Sequence, residues 1–332
     1  MKTKLGALLV ATFLSSCTTV DRNAAATLGT AGENATQALS SQAAQASETL
    51  GDLNQWWGIH DELVCINAPN ADARVACIKG ASAPAPDPSV TQIIDLLAKH
   101  KQAIDTLNQA YAAFVDLAHY NAGQAATAAL NTAFANVNSF TGAVSALPGA
   151  TAIAPISTTV EKATAGALSI IADNEENAQI LAANTDLETA NDALYKGLQT
   201  ESTAMTSLLV TLQAEREALY QSGFDAEIIS PTDVLTPVFS EAYPGIHLQA
   251  APAANRDVIA AAAKNVISIE NQITNTAVSK SYTDALATLQ AVSAQHKKLA
   301  AAQPLNLDQI EGDISSLQTN MAQVSSASTA KK

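Results

Sequence analysis

The sequence predicts an all-α protein, an elongated antiparallel helical bundle with coiled-coil-like long helices. Apolar residues recur in steps of three and four over long stretches, as in a heptad seam. The composition is 48% hydrophobic but only 4% aromatic, and much of the remainder is alanine. Alanine favours helix strongly and buries little area, which implies thin, closely spaced helices around a modest core. The prolines, finally, gather in short connectors such as 84–88, where a helix cannot continue.

Along the chain, Met1 to Lys4 supplies a positive start and Leu5 to Leu14 an apolar run of about ten residues, half of what a bilayer span needs. Residues 1–16 read as a signal peptide. Residues 17–31, polar and rich in Ala and Thr, read as a tether. A first helical section, 32–88, follows. It carries both tryptophans, Trp56 and Trp57, close to His60, then Cys65 and Cys77, and it ends in the connector Ala81 to Pro88.

Residues 89–325 read as the long-helix bundle. Ser89 and Gln92 have capping-box spacing, and the helix behind them sets Val90, Ile93, Leu97, Ile104, Leu107, Tyr111, Phe114 and Ala118 on one seam. Only His100 interrupts it, in the manner of a hydrogen-bonded core residue. From 117 to 160 there is no Asp, Glu, Lys or Arg. This stretch reads as an Ala-rich helix, with Leu130, Phe134, Val137, Val144 and Leu147 on one side, leading to a Pro/Gly tip.

A proline-free run from Ile156 to Tyr220 predicts a very long helix, with breaks weighed near Asp173–Asn177 or Asn184–Thr185. A second proline-rich connector, about 224–254, is expected to pack Phe239 and Tyr243 over a bundle end. Asn255 is expected to cap a helix bearing Val258, Ala262, Val266, Ile269 and Ile273, then Tyr282, Leu289, Val292 and His296. Pro304 stops it, and a last helix carries Ile310, Ile314, Leu317, Met321 and Val324 before the polar tail 326–332.

Motifs of catalysis are missing from the sequence: there is no HExxH, GxSxG, GxGxxG, P-loop, EF-hand or CxxC. No catalytic residue, metal ligand or cofactor is expected. His60, with Asp61 and Glu62 beside the tryptophans, is the one mixed cluster, so Trp56, Trp57 and His60 are candidate binding residues. Sequence neighbours on one helix do not face each other, however, and a buried Trp pair anchoring the Cys loop is the favoured reading.

The leader ends in Leu14-Ser15-Ser16-Cys17, which resembles the lipobox of bacterial lipoproteins. The resemblance implies cleavage before Cys17, a thioether-linked diacylglycerol on its sulfur and an acylated amine. Two or three acyl chains hold a protein on a membrane essentially permanently. Thr18, where inner-membrane members of the family tend to carry Asp, implies the outer membrane. In that oxidising compartment Cys65 and Cys77 are the expected disulfide partners.

Charge limits the partners. The chain carries 17 basic and 31 acidic residues, net −14, and loss of Lys2 and Lys4 with the leader would take it to about −16. Such a surface repels nucleic acid and anionic headgroups. The expected function is a lipid-anchored envelope protein of structural or interaction type, with an envelope protein as partner and no covalent peptidoglycan link through Lys332. The alternative is a ligand-binding or membrane-active helical protein using the 117–160 hairpin or the Trp56/Trp57 region.

Overall fold

A computed structural model describes residues 20–66, 70–80, 88–120, 123–156, 172–243 and 255–329. Eight helices make up nearly all of them: α1 (Arg22–Ile66), α2 (Ala71–Gly80), α3 (Pro88–Tyr120), α4 (Gly123–Ser145), α5 (Ala172–Asp225), α6 (Pro231–Ala242), α7 (Arg256–Ala300) and α8 (Asp308–Thr329). The all-α class is as the heptad spacing predicts.

Side-chain pairs fix the topology. Ser40 with Asp105 and Asn108 with Thr36 run α1 antiparallel to α3. Asn136 with Thr106 folds α4 back on α3. Gln179 lies beside Gly123 and Phe140 beside Gly197, so α5 runs parallel to α4. Tyr195 with Gln290 and Asp192 with Ser293 return α7 along α5, and Asp284 with Ser316 returns α8 along α7. Helices α1, α4, α5 and α8 therefore point one way, and α3 and α7 the other.

The α3 seam is buried as its spacing requires: Val90, Ile93, Leu97, His100, Ile104, Leu107, Tyr111, Phe114 and Ala118 are all inside. Opposite it, α1 supplies Ala25, Leu28, Ala35, Leu39, Ala43 and Leu50. Small residues set the spacing. A Cβ on Gly32 would run into the Tyr111 ring, and one on Gly197 into the Phe140 ring, so these helices approach closely only because glycine stands there.

Several elements depart from the sequence reading. The segment 22–31 is not tether but the first turns of α1, because the Asp21 carboxylate accepts the amide N–H groups of Asn23 (3.0 Å) and Ala24 (3.1 Å) and Ala25, Ala26, Leu28 and Ala31 pack inward. Helix α5 runs through Asn184–Thr185 unbroken over its described length, since Asn184 turns into the core rather than capping a break. The adjoining stretch 157–171 lies outside the described residues.

The connector 224–254 contains α6. Pro231 begins that helix, where a missing N–H costs nothing, and Leu235 packs with Phe224, Ala263 and Ile267 in a small second core. Phe239 and Tyr243 are exposed rather than packed over the bundle. Helix α8 continues to Thr329, into the segment read as polar tail. Asn255 precedes α7 but makes no side-chain cap bond.

Cys65 ends α1 and Cys77 lies in α2, with Cα atoms 5.3 Å apart, at disulfide distance. Asn70 turns the chain between them, its side-chain oxygen accepting the Ala73 N–H at 2.8 Å.

Two glycine substitutions should move stability in opposite directions. Gly32→Ala adds a methyl where the Tyr111 ring already sits, and overpacking of this kind costs about 1–3 kcal/mol. Gly142→Ala meets nothing within 4 Å and gains roughly 0.5–1 kcal/mol of helix propensity. Thermal unfolding of the two variants should show a lower Tm for the first and a higher one for the second.

Candidate functional site

The most chemically loaded part of the described structure is the bundle axis, where polar side chains form three layers.

The first joins α3, α5 and α7. His296 is fully buried. Its Nδ1 lies 2.7 Å from Asn184 Oδ1, while the Asn184 amide nitrogen donates to the His296 main-chain carbonyl at 3.0 Å. The amide is thereby oriented, and its carbonyl oxygen must receive a proton from Nδ1. That leaves Nε2 as an acceptor, and the Tyr111 hydroxyl, 2.8 Å away, donates to it. The Asn191 amide donates in turn to the Tyr111 oxygen.

Burial lowers the His296 pKa to about 3, because an imidazolium there has no water. Burial also raises the Tyr111 pKa, with the Asn191 hydrogen bond opposing it. Neither ring is poised to exchange a proton near neutrality, so the layer holds helices in register instead of shuttling protons.

The second layer lies further along the axis. The Tyr282 hydroxyl donates to Glu201 Oε1 at 2.7 Å, and His100 Nδ1 stands 3.0 Å from the same oxygen, with both side chains fully out of solvent. The His100 ring stacks on Phe140, centroids 5.0 Å apart. Burial, then the Glu201 charge, drive the Tyr282 pKa up. The His in the heptad seam is thus a core residue beside an α5 carboxylate, but neither of its ring nitrogens makes a hydrogen bond.

The third layer joins α5 and α7 further along their length. Arg216 donates to Asn271 Oδ1 and Glu270 Oε2, each at 3.0 Å, and its cation lies 5.6 Å from the Tyr220 ring centre. Asn271 donates to Glu217 at 2.9 Å, and Asn275 to Gln213 at 2.6 Å.

Surface concavities are open and mixed in character. One cleft, about 780 Å³, lies between the extended segment 151–156 and α5, with Thr185, Asp186, Asp192 and Lys196 along its floor. Partial burial raises the Asp186 pKa to about 6. Asn138 clamps the segment from α4, accepting the Ile156 N–H at 2.7 Å and donating to its carbonyl at 3.0 Å. A smaller cleft of about 360 Å³ opens beside Val20, lined by Leu181, Leu299, Pro304 and Leu305. Among the described residues no group of three or more His, Cys, Asp or Glu is arranged to hold a metal, and no described helix is long and apolar enough to cross a membrane.

The sequence candidates distribute unevenly. Cys17 and Lys332 lie outside the described residues. Trp56, Trp57 and His60 are on α1, with their side chains outside the described set. In the 117–160 stretch, Leu130, Phe134, Val137, Phe140, Val144 and Leu147 point into the core, while Gln124, Ala128, Thr132, Ala135 and Ser139 face out. Both faces are thus uncharged: the inward one packs in the core, and the outward one is small or polar. The axial layers are legible only in part: His100 and His296 fall on apolar rows, but nothing local marks Asn184, Asn191 or Glu201 as inward.

No protein family, curated protein or solved structure matches the chain.

The acid limb of the stability profile should follow His296. The unfolded imidazole takes up a proton near pH 6.5 and the folded one only near 3, so stability is flat above 6.5 and declines as pH falls between these values. One group contributes a slope of about 1.4 kcal/mol per pH unit in that window. The raised pKa of half-buried Asp186 works in the opposite sense and more weakly. Urea unfolding at pH 7, 5 and 4 should show the decline, and His296→Gln should flatten it.

Proposed function

We propose that the chain is a lipid-anchored cell-envelope protein that acts as a helical scaffold, with a partner-binding body and no chemistry of its own. The observation that carries this reading is Leu14-Ser15-Ser16-Cys17 behind a short apolar leader, which resembles a lipobox and would leave diacylglycerol and an N-acyl chain on Cys17. Sorting to the outer membrane, suggested by Thr18, belongs to the same proposal.

The position of α1 supports it physically. With Asp21 capping the helix, only residues 18–20 separate Cys17 from the folded body. The base of the bundle would therefore sit against the headgroups. The apolar cleft lined by Val20, Leu181, Leu299 and Leu305 opens at that end. Helix α5, 54 residues long, rises about 80 Å at 1.5 Å per residue. The opposite ends of α5 and α7, with α6, would be held far from the bilayer, where an acidic surface meets proteins more readily than anionic lipid.

The membrane-active alternative drew on the uncharged 117–160 hairpin, whose large apolar side chains are used by the core over its described length.

Cells expressing the full chain and fed labelled palmitate should yield a labelled protein, and Cys17→Ala should abolish the label and release the chain from the membrane fraction. Label that persists in Cys17→Ala, or never enters the parent chain, contradicts the proposal.

A further inference from the structure

The cleft beside Val20 is assembled from three parts of the chain that meet at the base of the bundle. Val20 leads into α1 and Ala24 lies in its first turn, Leu181 comes from α5, Leu299 from the last turn of α7, and Pro304 and Leu305 from the return toward α8. Val20, Ala24 and Leu305 rest on the main core, and Leu299 is only 5% exposed. The wall is shaped at Ala302, whose φ of 52° is the left-handed conformation that glycine usually supplies at a helix C-terminus. The Ala302 N–H donates to the Leu299 carbonyl at 3.1 Å and the Gln303 N–H to that of Lys298 at 2.8 Å. Gln295 Oε1 then accepts the Asn306 N–H at 2.9 Å, so Pro304 and Leu305 are held back against the bundle.

Among the residues lining this cleft only Asp21 and Gln303 are polar, and none is Lys, Arg or His. Asp21 is already engaged in capping α1. Such a wall takes hydrocarbon and offers an anion nothing: the carboxylate of a free fatty acid would meet Asp21 with no countercharge beside it. An acyl chain held by an amide or an ester carries no charge and escapes that penalty. The volume, about 360 Å³, falls within the roughly 300–1,000 Å³ of sites that enclose one small ligand.

We infer that the cleft holds one of the acyl chains borne by Cys17, folded back from the anchor onto the protein. The inference rests on the lipid-anchor reading given above. Reach supports that occupant. Three residues span at most about 10 Å, and Val20, the third after Cys17, is itself part of the cleft wall. The modified residue is therefore tethered at the mouth of the cleft. Attachment makes the encounter intramolecular, at an effective concentration on the order of mM, an advantage that no soluble fatty acid shares.

Burial favours the same arrangement. A chain left in the bilayer is out of water but leaves Leu181 and Leu305 wet, whereas a chain in the cleft removes both surfaces from water. The anchor survives the loss of one chain to the protein, because two acyl chains are enough for stable attachment. The consequence is mechanical. With one chain in the bundle and two in the membrane, Cys17 ties the base of α1, α5 and α7 directly to the bilayer, which fixes the height and tilt of the helices above it.

Cells expressing the full chain and fed a palmitate analogue with a diazirine near its methyl end provide the test. After irradiation, peptide mass spectrometry should find the Cys17 peptide joined through the analogue to a peptide bearing Leu181, Leu299 or Leu305. Leu181→Asp, which puts a carboxylate on the cleft wall, should reduce that joined pair at least tenfold per labelled Cys17. Should the charge disturb folding, seen as lost helicity by circular dichroism, the positions of the adducts in the parent chain still decide. The inference is overturned, with the anchor left standing, if labelled Cys17 is joined only to bilayer lipid or to residues away from the cleft. It is equally overturned if the cleft peptides carry labelled phospholipid or free analogue in place of the Cys17 peptide. A chain that takes up no label overturns the anchor and this inference together.

Discussion

Tyr111 is the contact on which the arrangement of the helices depends. Its ring lies over Gly32, letting α3 approach α1 at glycine distance. Its hydroxyl donates to His296 on α7 and accepts from Asn191 on α5. One fully buried side chain thus relates four helices, and it does so with directional bonds that tolerate little sliding. A side chain at position 32 would leave the ring no room, and a smaller residue at 111 would leave α5 and α7 without their common partner.

The need for such a contact follows from composition. A core built largely of alanine has few large knobs, and one alanine packs against another about equally well in several registers. Dispersion and burial drive collapse but discriminate weakly between alignments. The layers at Tyr111–His296 and at His100–Glu201–Tyr282 supply the discrimination, because a slip by one turn would leave several buried polar groups unpaired at a cost of about 1–3 kcal/mol each. The Arg216–Asn271 layer does the same between α5 and α7 further along the bundle. Burying these groups is costly in itself, and they act as registry devices more than as sources of stability.

This division explains what could be read from the sequence. Large apolar residues at heptad spacing announce themselves, so the α3 seam from Val90 to Ala118 and the α8 row of Ile310, Leu317 and Val324 are legible as helices with a buried face. Polar residues that turn inward do not, because Asn184 or Glu201 looks the same on a solvated surface as in a core. Asn184 was weighed as a helix break for that reason. The Ala-rich stretch after Asp21 reads as a tether by composition, although Asp21 is a local capping signal; the packing of α3 over Gly29 and Gly32 is the tertiary part. The α7 row from Val258 to Ile273 is covered only in part: Ala262 and Val266 pack against the second core, while Val258, Ile269 and Ile273 are exposed.

Equilibrium urea unfolding of Tyr111→Phe at pH 7 tests the registry role most directly, since the substitution keeps the ring on Gly32 and removes only the hydroxyl. The account predicts a loss of about 2–4 kcal/mol, because His296 Nε2 and the Asn191 amide both lose a buried partner. A variant as stable as the parent, with an unchanged and equally sharp transition, would contradict it.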